Sequence, residues 1–301
     1  MNKLTTILAS LPIALGLAIG SAQAASVTSQ FFPDELNQLS DNSGESIGVD
    51  SSAAGGPNGL LDVGDTLRGT LQIGTIEDLT GGGGTNTLGA GGVNELSGIF
   101  EVQVLTKVAT ATPGLFDFTF GAYAPFAAEF GLSAGTLIAL YEDATPDYDR
   151  TQGAKAAIEA GAVNGSLLFE LGFGLDLDEA WSAFGAPDMP SIFSSVPQGT
   201  VLGVFNVQLS MIGNYSGLLF NQVTAGCAVP FSPLAPCGGD GLIDVNGSGS
   251  LLGTLGSTSY YDVFNNIDFV VAPIPEPATM ALMGIGLMGI GAAARRRRRQ
   301  A

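Results

Sequence analysis

The sequence predicts a mainly β fold, an antiparallel β-sandwich of the jelly-roll kind with one or two short helices. Apolar and polar residues alternate with a period of two in several short runs, which clusters of Gly, Asn, Asp, Ser and Pro separate. Glycine accounts for 44 of the 301 residues, about twice its average usage, and this favours turns over long helices. Short strands with one polar face are what two packed antiparallel sheets require.

The alternation is clearest in four runs that each have an apolar and a polar face. In one of them Phe116, Phe118 and Phe120 oppose Asp117 and Thr119, so we expect the three rings to face a core. The four runs are 67–73, 100–108, 115–120 and 201–209. Three more runs are apolar enough to predict strands that are buried on both faces, namely 137–141, 167–173 and 260–271.

Helical signals are few. The best one covers 151–160, with Thr151 as the N-cap and Gly161 as the C-cap. A second short helix is predicted over 124–130. The acidic region 25–272 is long enough for one large sandwich or for two smaller ones, and the pattern leaves that choice open.

The charge balance excludes two large classes of function. The chain has 28 acidic and 10 basic residues and no histidine. Residues 25–275 hold 27 acids and four bases, a net charge of −23, which repels phosphate backbones and excludes nucleic acid as a partner. The absence of histidine excludes Ser-His-Asp and Cys-His catalysis and histidine-ligated zinc.

The N-terminal segment has the parts of a secretory signal peptide. Lys3 precedes an apolar stretch, 4–19, and small residues at Ala22 and Ala24 follow it. We predict a signal peptide over 1–24 that uses the Sec translocon, with signal peptidase cutting before Ala25. The alternative is a retained transmembrane anchor, since the apolar stretch approaches spanning length.

The C-terminal segment, 273–301, combines three features in a fixed order. A Pro-Glu-Pro motif precedes seventeen mostly apolar residues, 278–294, and an arginine cluster follows them. As a helix the apolar run would extend about 25 Å, somewhat short for a hydrocarbon core of roughly 30 Å. Positive residues stay cytoplasmic, so the acidic region is expected on the outer side of the inner membrane. The residues concerned are Pro275, Glu276, Pro277, Arg295, Arg296, Arg297, Arg298 and Arg299.

This tail resembles the PEP-CTERM sorting signal of Gram-negative bacteria that make extracellular polysaccharide. The resemblance implies processing by exosortase, a membrane protease-transpeptidase that acts near the Pro-Glu-Pro motif. It implies an inner-membrane anchor before processing and a location at the cell surface or in the extracellular matrix afterwards. The alternative is an ordinary tail anchor behind a proline-rich linker. The resemblance covers about 28 residues and does not extend to the acidic region.

Cys227 and Cys237 are the two cysteines of the chain, and nine residues lie between them. In an exported protein, two cysteines that close a proline-rich loop predict a disulfide. With two thiols and no histidine, a metal site at this place is not expected.

One acidic segment matches the first half of a calcium-binding loop. Asp244, Asn246 and Ser248 stand at positions 1, 3 and 5, and Gly249 stands at position 6. Leu255 occupies position 12, where an EF-hand has a bidentate glutamate, so a complete EF-hand is excluded. A looser Ca²⁺ site is one interpretation, and a solvated turn between strands is the other. The acidic segment 142–149 is interpreted as a solvated loop.

These observations favour a non-enzymatic protein with a structural or adhesive role in an exopolysaccharide or biofilm matrix. The alternative is a carbohydrate-binding module or a glycoside hydrolase, which needs only two suitably spaced carboxylates. Two buried carboxylates facing each other in a cleft beside Trp181 would favour the hydrolase. We expect Trp181 to belong to the core instead.

Overall fold

The computed structural model describes residues 24–51, 58–151, 153–226, 238–257 and 260–274. Ala22, Cys227 and Cys237 lie outside these ranges, as do the whole of 278–294 and the predicted sorting residues. Within the described ranges, no helix is long and apolar enough to cross a membrane.

The described chain folds into one large antiparallel sheet and a separate two-stranded ribbon, which Val223–Thr224 and Leu242–Ile243 form. The strands are β1 (Asn37–Ile47), β2 (Thr66–Asp78), β3 (Thr85–Thr87), β4 (Glu95–Ala109), β5 (Phe116–Ala122), β6 (Thr136–Asp143), β7 (Ser166–Gly172), β8 (Ala180–Gly185), β9 (Val201–Asn214), β10 (Leu219–Asn221), β11 (Val223–Thr224), β12 (Leu242–Ile243), β13 (Val245–Leu252) and β14 (Val263–Ile274).

The predicted mainly β, antiparallel fold is confirmed, but the large sheet closes on itself into a barrel and does not form the predicted sandwich. Eight strands form a ring in the order β1–β2–β4–β6–β7–β9–β13–β14, and β14 pairs with β1 to complete it. The pairing of β2 with β4 closes the edge that a sandwich would leave open. Closure removes unpaired strand edges, and alternation along a strand does not distinguish a barrel from a sandwich because both bury one face of each strand.

The two longest strands, β4 and β9, each pair with two successive strands along one of their edges. The first half of β4 pairs with β6 and its second half with β5. The first half of β9 pairs with β8 and its second half with β7. The pairs β5–β8 and β6–β7 therefore fill the same gap in the wall, one nearer each end of the barrel.

The predicted alternation in β2, β4, β5 and β9 is confirmed except at the C-terminal end of β4, where the register shifts between Val104 and Thr106 and where Val108, predicted on the apolar face, is exposed. Inward positions such as Leu71, Phe100, Phe118 and Val207 form one core cluster. The opposite faces carry Arg68, Glu101 and similar polar residues. A second, smaller cluster lies outside the wall, where Phe126 of helix α1 (Ala124–Phe130) covers Ile99 of β4.

The helix over 124–130 is confirmed, while the other predicted helix begins later than expected. Helix α2 is Lys155–Ala162, and its N-cap is Ala154. Thr151 bonds instead to Asp149 through its N–H and hydroxyl, which forms a local turn, and Gly161 lies inside the helix. A third helix, α3 (Met189–Ile192), was not predicted; it has a single turn and therefore no readable periodicity.

The beginning and the end of the described chain meet at one end of the barrel, called here the lower end. A 3₁₀ helix, Val27–Gln30, precedes Phe31 there, and both Val27 and Phe31 are buried in the core. The Asp34 N–H donates to the Pro273 carbonyl at 3.1 Å. The upper end carries the β4–β5 hairpin and a 3₁₀ helix, Phe193–Ser195.

Candidate functional site

The upper half of the barrel encloses a cavity of about 40 Å³. Its walls are mostly aromatic and aliphatic, and its polar lining consists of Ser43 and Glu45 from β1 and Asn265 from β14. An apolar cavity with a few converging polar groups is the usual form of a small-molecule site. A second internal cavity in the lower half, of about 20 Å³, has only apolar lining.

The pairing register of strand β1 with its two neighbours directs polar side chains of β1 into the barrel. Ser43 lies opposite Leu71 of β2 and Asn265 of β14, and Glu45 lies opposite Gly69 and Val263. Gly69 is required here, because a Cβ atom at that position would lie 2.6 Å from the Phe100 ring. The Phe100 ring therefore occupies the space that Gly69 leaves.

Glu45 is the most unusual group in the cavity. Its side chain is 3 % exposed, and its Oε1 atom has no hydrogen-bond partner in the described part of the protein. Burial raises the pKa of Glu45 to about 7, and a hydrogen bond with the Asn265 side chain opposes that rise only in part. Ser43 in turn donates to Asn265, which fixes the amide orientation.

Asp41 lies two residues before Ser43 on the same inward face. Its Oδ1 atom accepts a hydrogen bond from the Ile267 N–H at 2.6 Å, where a bulge interrupts the pairing of β1 with β2. Burial raises the pKa of Asp41 well above its usual value, while this N–H and Ser43 act in the opposite sense. Asp41 does not line the upper cavity, so its role in the described structure is to hold the bulge.

Aromatic rings form the wall opposite Glu45. The Trp181 ring packs against Phe100 at 5.9 Å and against Phe120 at 6.3 Å between ring centroids. Trp181 is therefore a core residue, as the sequence predicted. Phe193, which is fully buried, closes the upper end, and its carbonyl accepts a hydrogen bond from the Thr254 N–H at 2.9 Å.

Outside the barrel, one guanidinium joins three elements. Arg68 of β2 forms ion pairs with Glu101 of β4 at 3.1 Å, Glu129 of α1 at 2.8 Å and Glu159 of α2 at 3.0 Å. Hydrogen bonding to Glu129 raises the pKa of Arg68, and Arg68 lowers the pKa of Glu129. These ion pairs fasten both helices to the wall.

In the part of the chain that the structure describes, three carboxylates lie close enough to share one metal ion. The ligand atoms of Glu95, Asp143 and Asp147 all fall within 4.8 Å of one another. Burial raises the pKa of Glu95, and the charges of Asp147 and Asp143 add to the effect. The segment 142–149 therefore contacts the buried end of β4 instead of forming only a solvated loop, and the Tyr148 N–H donates to Glu95 at 3.2 Å.

The predicted calcium ligands do not form a loop. Asp244 comes directly before β13, and Asn246 and Ser248 lie within it, paired with β9 and β14. In an extended strand, alternate residues stand about 6.6 Å apart, so the wrapped arrangement of a calcium loop is absent at these positions. The Asp244 carboxylate accepts a hydrogen bond from the Met211 N–H at 2.9 Å.

The acids nearest Trp181 in sequence hold loops in place. Asp178 accepts hydrogen bonds from the Gly239 and Gly241 N–H groups at 2.8 and 2.7 Å. Glu179 accepts from the Gly174 N–H and from Ser210, both at 2.5 Å. Both carboxylates border an outer groove of about 310 Å³, and neither faces the cavity that contains Glu45.

The structure describes two residues of the predicted cleavage site, Ala24 and Ala25. Ala24 is half-buried, and Ala25 is exposed and pairs with Val93 as an isolated bridge. The Ala25 N–H donates to the Gly92 carbonyl at 2.7 Å.

Sequence reasoning missed Glu45 and its cavity. A signal was present, because 39–47 reads Leu39, Asp41, Ser43, Glu45 and Ile47 at alternate positions, with apolar residues at both ends of the row. A row that starts and ends apolar indicates an inward face even where its middle is polar.

The fold and this site define a closed acidic β-barrel with an internal, carboxylate-bearing cavity. Its C-terminal segment matches the family model of the PEP-CTERM protein-sorting motif over residues 273–299. The match supports an exported protein that exosortase processes, with a membrane-anchored C-terminal sorting signal. No curated protein matches the chain significantly.

Proposed function

We propose that this protein is released by exosortase to the bacterial surface or extracellular matrix and acts there by non-enzymatic association. The observation that carries the proposal is the sorting motif, whose match begins at residue 273, inside the last strand of the barrel. The sequence therefore has no spacer between the barrel and its sorting segment.

The described chain leaves the barrel at its lower end. The last strand ends there, beside Asp34, and the sorting sequence follows directly after it. The β4–β5 hairpin and the 3₁₀ helix Phe193–Ser195 lie at the opposite end of the barrel.

The charge distribution supports association through cations. Two of the four bases between residues 25 and 275 are already engaged in ion pairs, Arg68 with three glutamates and Lys107 with Asp62 at 2.7 Å. Most of the 27 acids therefore have no cationic side chain to neutralise them. A strongly acidic surface attracts divalent cations, which link carboxylates to anionic polysaccharide. Calcium binding at Asp244, Asn246 and Ser248 stays a prediction, tested by calorimetric titration of the protein and of Asp244→Ala.

The contacts near Trp181 disfavour the hydrolase alternative. Asp178 and Glu179 accept hydrogen bonds that hold loops, and the Trp181 ring packs against Phe100 and Phe120 in the core, while Trp181 also lines the outer groove beside the two acids. Glu45 stands alone in a cavity that is too small for a sugar ring.

A deletion strain complemented with variants tests the proposal. The wild-type gene and Glu77→Gln, a charge change at an exposed position of β2, should restore matrix mass and polysaccharide retention. Glu276→Gln should restore neither, because its product remains unprocessed. Full restoration by Glu276→Gln would contradict the proposal, and shortened polysaccharide chains in the wild type would favour the hydrolase instead.

A further inference from the structure

The upper cavity combines two features that together indicate a ligand. One is a carboxylate oxygen, Glu45 Oε1, which is buried and has no partner among the described residues. The other is a wall of aromatic rings, formed by Phe100, Phe118, Phe120, Trp181, Phe205 and Phe269. The Glu45 carboxyl group has a hydrogen bond with the Asn265 side chain, but its Oε1 atom has no donor among the described residues. A buried polar atom without a partner is destabilising, and a ligand that donates to Oε1 would complete the site.

The chemistry of the lining selects the class of that group. Ser43, Glu45 and Asn265 are too few oxygen donors for Ca²⁺, which takes six to eight, or for Mg²⁺, which takes six. An ammonium group instead donates to a carboxylate and is attracted to the faces of aromatic rings, both of which are present. The ring wall would also cover the alkyl part of such an ion.

The size of the cavity sets the size of the ligand. A water molecule needs roughly 10–15 Å³ of such volume, so about 40 Å³ accommodates about three non-hydrogen atoms. Methylammonium, dimethylammonium and ethylammonium fall within this limit. Because the binding free energy per non-hydrogen atom has an upper limit, we expect a dissociation constant no lower than about 1 mM for so small a ligand.

We propose that the upper cavity is a binding site for a small alkylammonium ion, held by an ion pair with Glu45 and by the surrounding aromatic rings. The ion reaches the cavity from the upper end, where Phe193 forms the closing contact. This site is independent of the sorting segment and of the matrix role, so either proposal can fail without the other.

Binding should depend on the charge of Glu45. Gly69 of β2 and Val263 of β14 lie opposite Glu45, Ser43 and Asn265 line the same cavity, and Asp41 lies four residues before Glu45 on β1. Of these, only Asp41 titrates, and it too is buried and disfavoured as an anion. Affinity for alkylammonium should therefore be higher at pH 8.5 than at pH 5.5.

The test uses the full-length chain in detergent with ethylammonium chloride as the probe, potassium chloride at equal ionic strength as the salt control and ethanol as the uncharged analogue. Saturation-transfer NMR should show contact of the ethylammonium methyl group with the protein, and thermal stability should rise with its concentration. Glu45→Gln should weaken binding at least tenfold, and the exposed control Glu77→Gln should leave it unchanged.

A second variant keeps the proposal testable if Glu45→Gln does not fold. Ala183→Leu fills the cavity from β8 while Glu45 is retained, and it should also abolish binding. The proposal is overturned if ethylammonium gives no signal at 20-fold above the expected constant, if ethanol binds equally well, or if Glu45→Gln binds as wild type. Any of these results would mean that the cavity is not an alkylammonium site that depends on Glu45.

Discussion

At the scale of single residues, Glu45 makes the stability of the barrel depend on pH. Burial raises its pKa to about 7, whereas an unfolded chain has a glutamate pKa near 4.5. Between these values the folded state binds more protons than the unfolded state, so stability decreases as pH rises through this window. Asp41 acts in the same direction, because burial raises its pKa as well.

Replacing Glu45 with glutamine should remove its part of this pH dependence. Relative to wild type, Glu45→Gln should gain about 3 kcal/mol in free energy of unfolding between pH 4.5 and pH 7.5. Urea unfolding at several pH values measures the difference, and the contribution of Asp41 is common to both proteins. Glu77→Gln is the control. Parallel pH curves for wild type and Glu45→Gln would show that Glu45 does not titrate as described.

At the scale of secondary structure, a strand could be predicted from the sequence when one of its faces is apolar and the other is polar. Strands β2, β4, β5 and β9 carry apolar side chains inward, and their periodicity indicated them. The sequence pattern does not predict strand β13, because Asp244, Asn246, Ser248 and Gly249 match the start of a calcium loop or a solvated turn. A Cβ atom at Gly249 would lie 2.5 Å from the Phe205 ring, so the glycine is there to admit a ring from the neighbouring strand. A single sequence shows the glycine but not the ring that needs it.

The site was less predictable than the strands. Glu45 and Trp181 are far apart in the chain, and only closure of the barrel brings them to one cavity. Closure depends on the pairing of β2 with β4 and of β1 with β14, which no local pattern encodes.

Helix attachment depends on Arg68, whose side chain is 14 % exposed. We expect Arg68→Met to destabilise the protein by about 3 kcal/mol, because it leaves the buried Glu101 without its cation. Adding Glu101→Gln should recover part of that loss. Denaturant unfolding measures both variants, and Lys155→Met removes the same charge at the start of α2 as a control. An Arg68→Met variant no less stable than Lys155→Met would contradict this role.

At the scale of the whole molecule, the first and last strands of the described chain lie side by side in one closed wall. We therefore expect a single cooperative unfolding transition, with equal calorimetric and van't Hoff enthalpies. Differential scanning calorimetry of the full-length chain measures both quantities. Two separable transitions would instead indicate two independent β units, the alternative that the sequence left open.

The last strand of the barrel overlaps the start of the matched sorting motif, since the strand ends at Ile274 and the match begins at residue 273. The acidic region is expected outside the cell, and five of the seven arginines lie in the segment that processing would remove.

The central claim, exosortase-dependent release, is tested most directly by the intact mass of the protein recovered from the cell surface. The mass should correspond to a chain that begins at Ala25 and ends near Pro275–Glu276–Pro277, and this product should disappear when Arg295 to Arg299 are deleted. A surface product that still contains residues 278–299, or unchanged release after the deletion, would contradict the claim.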